Sequence, residues 1–67
     1  MDDEEVSSQA VKRVLDAWTM MHPETLANRA NLEISVGNFV RRLILLGERE
    51  VKTLSVEALK HLRDNSL

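Results

Sequence analysis

Apolar side chains along this chain recur mostly at three- and four-residue intervals, the spacing of one face of an α-helix. Val11, Val14, Leu15, Trp18 and Met21 form the first such stripe. They predict a helix that opens near Ser7 or Ser8, either of which can cap it, and closes near His22. Pro23 disfavours helical geometry at the residue before it and suits the first position of a new helix, with Glu24 at the positive end. Leu26, Ala27 and Ala30 then predict the buried face of a helix of about two turns, which Asn31 ends. After a polar break over 31–35, Ser35 caps a longer helix over 35–46. Val36, Phe39, Val40, Leu43, Ile44 and Leu46 line its apolar face, and Gly47 stops it.

The segment 49–53 alternates weakly with Val51 inward and predicts a short strand or an extended connector. Ser55 caps a last helix with Val56, Leu59 and Leu62 on one face and Lys60, His61 and Arg63 near its negative end. The chain is expected to fray over 64–67. The expected fold is all-α: a compact domain of three to four helices over residues 9–64, with a helix-turn-helix over 23–47 and a flexible acidic tail over 1–8. Trp18 and Met21 are expected in the core and Met20 outside it.

Composition narrows the class. A chain of 67 residues makes one domain with a thin core, and the absence of cysteine excludes disulfides and thiolate metal sites, leaving oligomerisation as the expected support. The acidic start lacks the features of a secretory signal or a transit peptide, and the longest apolar run, 43–46, falls far below the roughly 20 residues that span a bilayer. A soluble, cytoplasmic protein with no membrane partner is expected. The net charge of −2 hides an uneven distribution: four of the eleven acids are Asp2, Asp3, Glu4 and Glu5, and the rest of the chain is mildly basic.

Leu26, Ala27, Val36, Val40, Leu43 and Gly47 together resemble the helix-turn-helix core of bacterial winged-helix and phage-type regulators, over about a third of the chain. Asn31 stands where those families have glycine in the turn, and a helix replaces their wing. The resemblance implies a small DNA-binding transcriptional regulator whose recognition helix is 35–46. A second resemblance, of 33–47 to the second helix of ribbon-helix-helix repressors, lacks the preceding strand that those proteins need.

In the helix-turn-helix reading, Ser35, Gly37 and Asn38 lie near the start of the recognition helix, where base contact is expected, and Arg41 and Arg42 follow one turn later to grip guanine or phosphate. Thr25, Asn28 and Arg29 on the preceding helix, with Lys12 or Arg13 on the first, would set register on the backbone. Each has a plainer role: Arg41 and Arg42 as a solvated face, Ser35 as a cap, Asn38 as a turn residue. Gly37 costs a helix up to about 1 kcal/mol, which close approach of another backbone would explain.

His22 and His61 stand apart from any ligand partner, no hydroxyl sits in an activating motif, and no glycine-rich phosphate loop is present. No catalysis, metal or cofactor is expected. The alternative from a different class is a helical protein-interaction module, an antitoxin, anti-activator or adaptor, that does not bind DNA directly. Both readings need a partner, because a monomer this small grips few phosphates. A homodimer through Leu54, Val56, Leu59 and Leu62, with Leu45 nearby, is the expected oligomer.

Overall fold

The computed structural model describes residues 2–65. It contains three α-helices, α1 (Asp3–Met21), α2 (Arg29–Leu45) and α3 (Val51–Asn65), with a 3-10 helix, Pro23–Asn28, between the first two. The described residues are thus all-helical, as the apolar spacing predicts, and include no strand.

Three rows of side chains at four-residue spacing build the core: Val6, Ala10, Val14 and Trp18 from α1, Val36, Val40 and Ile44 from α2, and Leu54, Ala58 and Leu62 from α3. Residues four apart stack along one helix face, so each row forms a ridge that a neighbouring helix can receive. Ala10 and Ala58 are essentially inaccessible and let α1 and α3 approach closely. α1 packs against both other helices, while α2 and α3 touch each other more sparsely. Phe39 of α2 bridges that gap by stacking on His61 of α3, ring centroids 4.2 Å apart.

The boundaries differ from the sequence expectation in four places. First, the acidic residues are not a tail. The Asp2 carboxylate accepts the Glu5 amide at 2.8 Å, α1 begins at Asp3, and Val6 and Ser7 are buried. Three acids in the first turn suit the positive end of a helix, and Val6 extends the core row by one step. Met1 lies outside the described residues.

Second, 31–35 is not a turn. Residues 29–45 form one unbroken helix that takes in the end of the first expected helix, the expected turn and the recognition helix, while 23–28 form the 3-10 helix. The polar run contains neither glycine nor proline, and Leu32 continues the stripe of Val36, Phe39 and Val40, so Asn31, Glu33 and Ser35 simply occupy exposed positions. Ser35 therefore caps nothing. The turn falls earlier, at the 3-10 helix, where Leu26 and Ala27 are exposed rather than buried, as is Ala30 at the start of α2.

Third, α3 starts at Val51, replacing both the expected extended segment 49–53 and the cap at Ser55. The Glu48 carboxylate accepts the amides of Arg49 and Glu50 at 3.1 and 3.0 Å just before the helix. Ser55 is buried inside α3, its hydroxyl donating to the Val51 carbonyl at 2.7 Å. α3 is helical through Asn65, and the rest of the expected frayed end, Ser66 and Leu67, lies outside the described residues.

Fourth, two side chains expected on the apolar faces, Met21 and Leu46, are exposed. Trp18 is buried and Met20 exposed, as expected. Gly47 ends α2 in the left-handed region at φ 108°, its amide bonding to Ile44 and that of Glu48 to Leu43, which is the glycine-dependent C-terminal motif.

Candidate functional site

An open groove about 810 Å³ in volume lies between α1 and α2. Val11, Leu15, Gly37 and Ile44 form its floor, and Leu45 stands at one end. Its rims carry mixed charge. Asp3 and Glu4 mark the end near Leu45, Arg29 the other, with Lys12, Glu33 and Arg41 between them.

The exposed side of α2 beside the groove carries two large apolar residues where a solvated helix would be polar. Ile34 is 64% exposed and Leu45 88% exposed. Eleven residues apart, about three turns, they fall on one side of the helix, with Gly37 and Arg41 beside the line that joins them. Gly37 lies midway along α2, and a Cβ built on it would meet nothing within 4 Å. No close approach within the chain accounts for this glycine, although a glycine in a helix interior costs about 1 kcal/mol relative to alanine.

The residues expected to read DNA do not share one face. Ser35, Asn38 and Arg42 are exposed and follow one another at i, i+3 and i+7 on the outermost side of α2, whereas Gly37 and Arg41 turn toward α1 and line the groove. Arg29 begins α2 and is paired with Asp16 of α1 at 3.3 Å. Thr25 and Asn28 sit in the 3-10 helix, where the Thr25 hydroxyl donates to the His22 carbonyl at 2.7 Å. Lys12 borders the groove and Arg13 is exposed on α1. Another cation, Arg49, is engaged by Asp3 at 2.6 Å.

The expected dimer surface is divided as well. Leu54 is fully buried and Leu62 nearly so, both within the core of their own chain, so neither is available to a partner. Their apolar side chains complete the α3 row that closes over α1. Val56 is exposed and Leu59 half-buried, bordering a smaller hollow with Trp18 and Met21.

Sequence reasoning missed Ile34 because a turn was expected across it. The signal was present in the helical continuity from Leu32 through Val36 to Val40, which carries Ile34 to the outside. Among the described residues no helix is long and apolar enough to cross a membrane, and no group of three or more His, Cys, Asp or Glu side chains is placed to hold a metal ion. No family model, curated protein or solved structure matches the chain.

Proposed function

We propose that this chain is a helical protein-interaction module that binds through the α1–α2 face, and that binding, not catalysis, is its work. The observation that carries the reading is the pair Ile34 and Leu45, exposed before and after Gly37 on one side of α2, with Leu45 lining the groove and Ile34 on the helix surface outside it. Isolated exposed apolar residues are ordinary on a protein surface, but two of them aligned on one side of a helix that borders a groove, beside an unexplained glycine, make a docking edge. The charged rims would confer register and selectivity.

A photo-reactive amino acid placed in the cell at Ile34 or Leu45, with Ser35 and Arg42 as controls on the outer face, tests this reading. Discrete protein adducts from the two apolar positions, absent from the two controls, are expected. Equal labelling at all four, or none, would refute an interaction face here.

DNA binding is the second reading. It is favoured by the alignment of Ser35, Asn38 and Arg42 and by four cations, Lys12, Arg13, Arg41 and Arg42, that pair with no carboxylate among the described residues. Its support is weaker because these cations are spread over two helices and share the groove with Asp3, Glu4 and Glu33. Anisotropy of labelled duplex DNA at two salt concentrations separates the readings, since phosphate binding weakens steeply as salt rises. Binding lost by an Arg41→Glu, Arg42→Glu variant would favour DNA, and no binding at low salt would remove it.

A further inference from the structure

We propose that the occupant of the α1–α2 face is a second copy of this chain, with the two α2 helices packed antiparallel about a two-fold axis at Gly37. This rests on the reading of that face as a docking surface and names its partner.

The argument begins with Gly37. Its missing side chain opens space that nothing in its own chain fills, at the midpoint of a helix with exposed apolar residues on both sides. Where two helices cross, a residue without a side chain at the contact lets their backbones approach, and a two-fold axis through that residue makes each copy fill the space left by the other.

Charge then fixes the direction. In an antiparallel pair centred on Gly37, a residue a given number of places before the glycine faces the residue the same number of places after it in the other copy. Glu33, four before, faces the partner's Arg41, four after, and symmetry repeats the pair. Neither side chain has an ion-pair partner in its own chain among the described residues. Both border the groove on either side of Gly37. A parallel arrangement would instead set Glu33 against Glu33 and Arg41 against Arg41, which is repulsive.

The same register gives the two exposed apolar side chains surfaces that can cover them. Leu45, eight after the glycine and 88% exposed, faces the partner's Arg29, whose aliphatic stem can cover a leucine while its guanidinium stays with Asp16 of its own chain. Ile34, three before, falls opposite the partner's Val40, which is buried in its own chain, and beside the aliphatic stem of the partner's Arg41, which can cover an isoleucine while the guanidinium stays in water. With α1 of each copy flanking the pair, the assembly is a four-helix arrangement whose interface is closed by symmetry and does not propagate. The contact is short, about four turns of α2, so a dissociation constant on the order of micromolar is expected.

Sedimentation velocity over a concentration series tests this with four proteins: wild type, Glu33→Arg, Arg41→Glu and the double variant, all checked for helicity by circular dichroism. Wild type should pass from monomer to dimer. Each single variant, placing like charges together at two symmetric sites, should weaken dimerisation at least about tenfold. The double variant should recover it, and so should an equimolar mixture of the two single variants, in which every crossing pair is again opposite in sign. A Gly37→Met variant, whose Cβ meets nothing within 4 Å in its own chain and whose longer side chain occupies the crossing point, should stay folded and monomeric.

Wild type that remains monomeric through the series overturns self-pairing, while the in-cell crosslinking outcome decides separately whether the face binds another protein. A wild-type dimer that neither single variant weakens, or that the double variant fails to restore, overturns this interface.

Discussion

Replacing Gly37 by alanine should stabilise the monomer and weaken the dimer. The stabilising part follows from the backbone and the space around it. Gly37 is in the interior of the 17-residue α2, and its added methyl group would meet nothing within 4 Å, so neither a clash nor a new packing contact enters. What remains is helix propensity, about 0.8–1 kcal/mol in favour of alanine, much of it from the freedom that glycine has in the unfolded chain. Unfolding entropy near the midpoint is about 2.1 cal/mol/K per residue, or about 0.14 kcal/mol/K for a chain of this length, so Tm should rise by about 6 °C. Far-ultraviolet circular dichroism melts at dilute protein, where the monomer dominates, read this directly. Gly47→Ala is the control, because a methyl group there also meets nothing within 4 Å but the backbone φ is 108°. That substitution should lower Tm, since the left-handed region costs an L-residue roughly 1–2 kcal/mol. At concentrations where wild type dimerises, association adds to its apparent stability and the Gly37→Ala advantage should shrink or reverse. A lower Tm at dilute protein would refute the open space around Gly37. A gain of equal size at every concentration, with association unchanged, would refute the glycine's place in a helix crossing.

Three further outcomes test the fold. Leu54→Ala empties a fully buried site and should cost about 2–5 kcal/mol, a large share of the roughly 3–10 kcal/mol expected for a domain of this size, so the urea midpoint should collapse. Asp2→Ala removes the acceptor of the Glu5 amide and should cost about 0.5–2 kcal/mol in the same titration. An unchanged midpoint would mean that the acidic segment is not capped as described. Thr19→Val removes a buried hydroxyl whose bond goes to the Leu15 carbonyl of its own helix, leaving that carbonyl to its backbone partner, so the change should stay within about 0.5 kcal/mol. A loss well above that would give the hydroxyl a role beyond its local bond.

The all-α class was legible because the core rows are built on the helical repeat itself: Val14 and Trp18, Val36 and Val40 need only their spacing to be recognised. Pro23 and Gly47 were legible for the same reason, each forcing one backbone outcome whatever surrounds it. The break at 31–35 was misplaced because polarity was taken as interruption, whereas a helix with one exposed side absorbs Asn31, Glu33 and Ser35 at a few tenths of a kcal/mol each. The acidic start was misread through the opposite error. Clustered charge was taken for disorder, although acids in a first turn favour a helix, and Val6 was the single apolar residue that could have joined them to the core. The site was less legible than the fold, since exposure of Ile34 and burial of Leu54 depend on which side of a helix its neighbours cover, and that is a tertiary fact.

The exposed edge and the glycine constrain one another. Ile34 and Leu45 could each be an ordinary surface residue, and Gly37 could be a helix defect of no consequence. Yet the glycine is a cost that the isolated chain has no means to offset: it relieves no contact in the fold, permits no unusual backbone and ends no helix. Gly47, the other glycine of the chain, has its explanation in a positive φ, so glycine is not scattered here without structural cause. A domain with three short core rows has little stability to spare. An interior helix cost of about 1 kcal/mol is most simply balanced by a contact that forms only when something lies across α2 at Gly37. The surface there is apolar on both sides and carries opposite charges at equal distances, which is the pattern that a two-fold axis makes self-complementary.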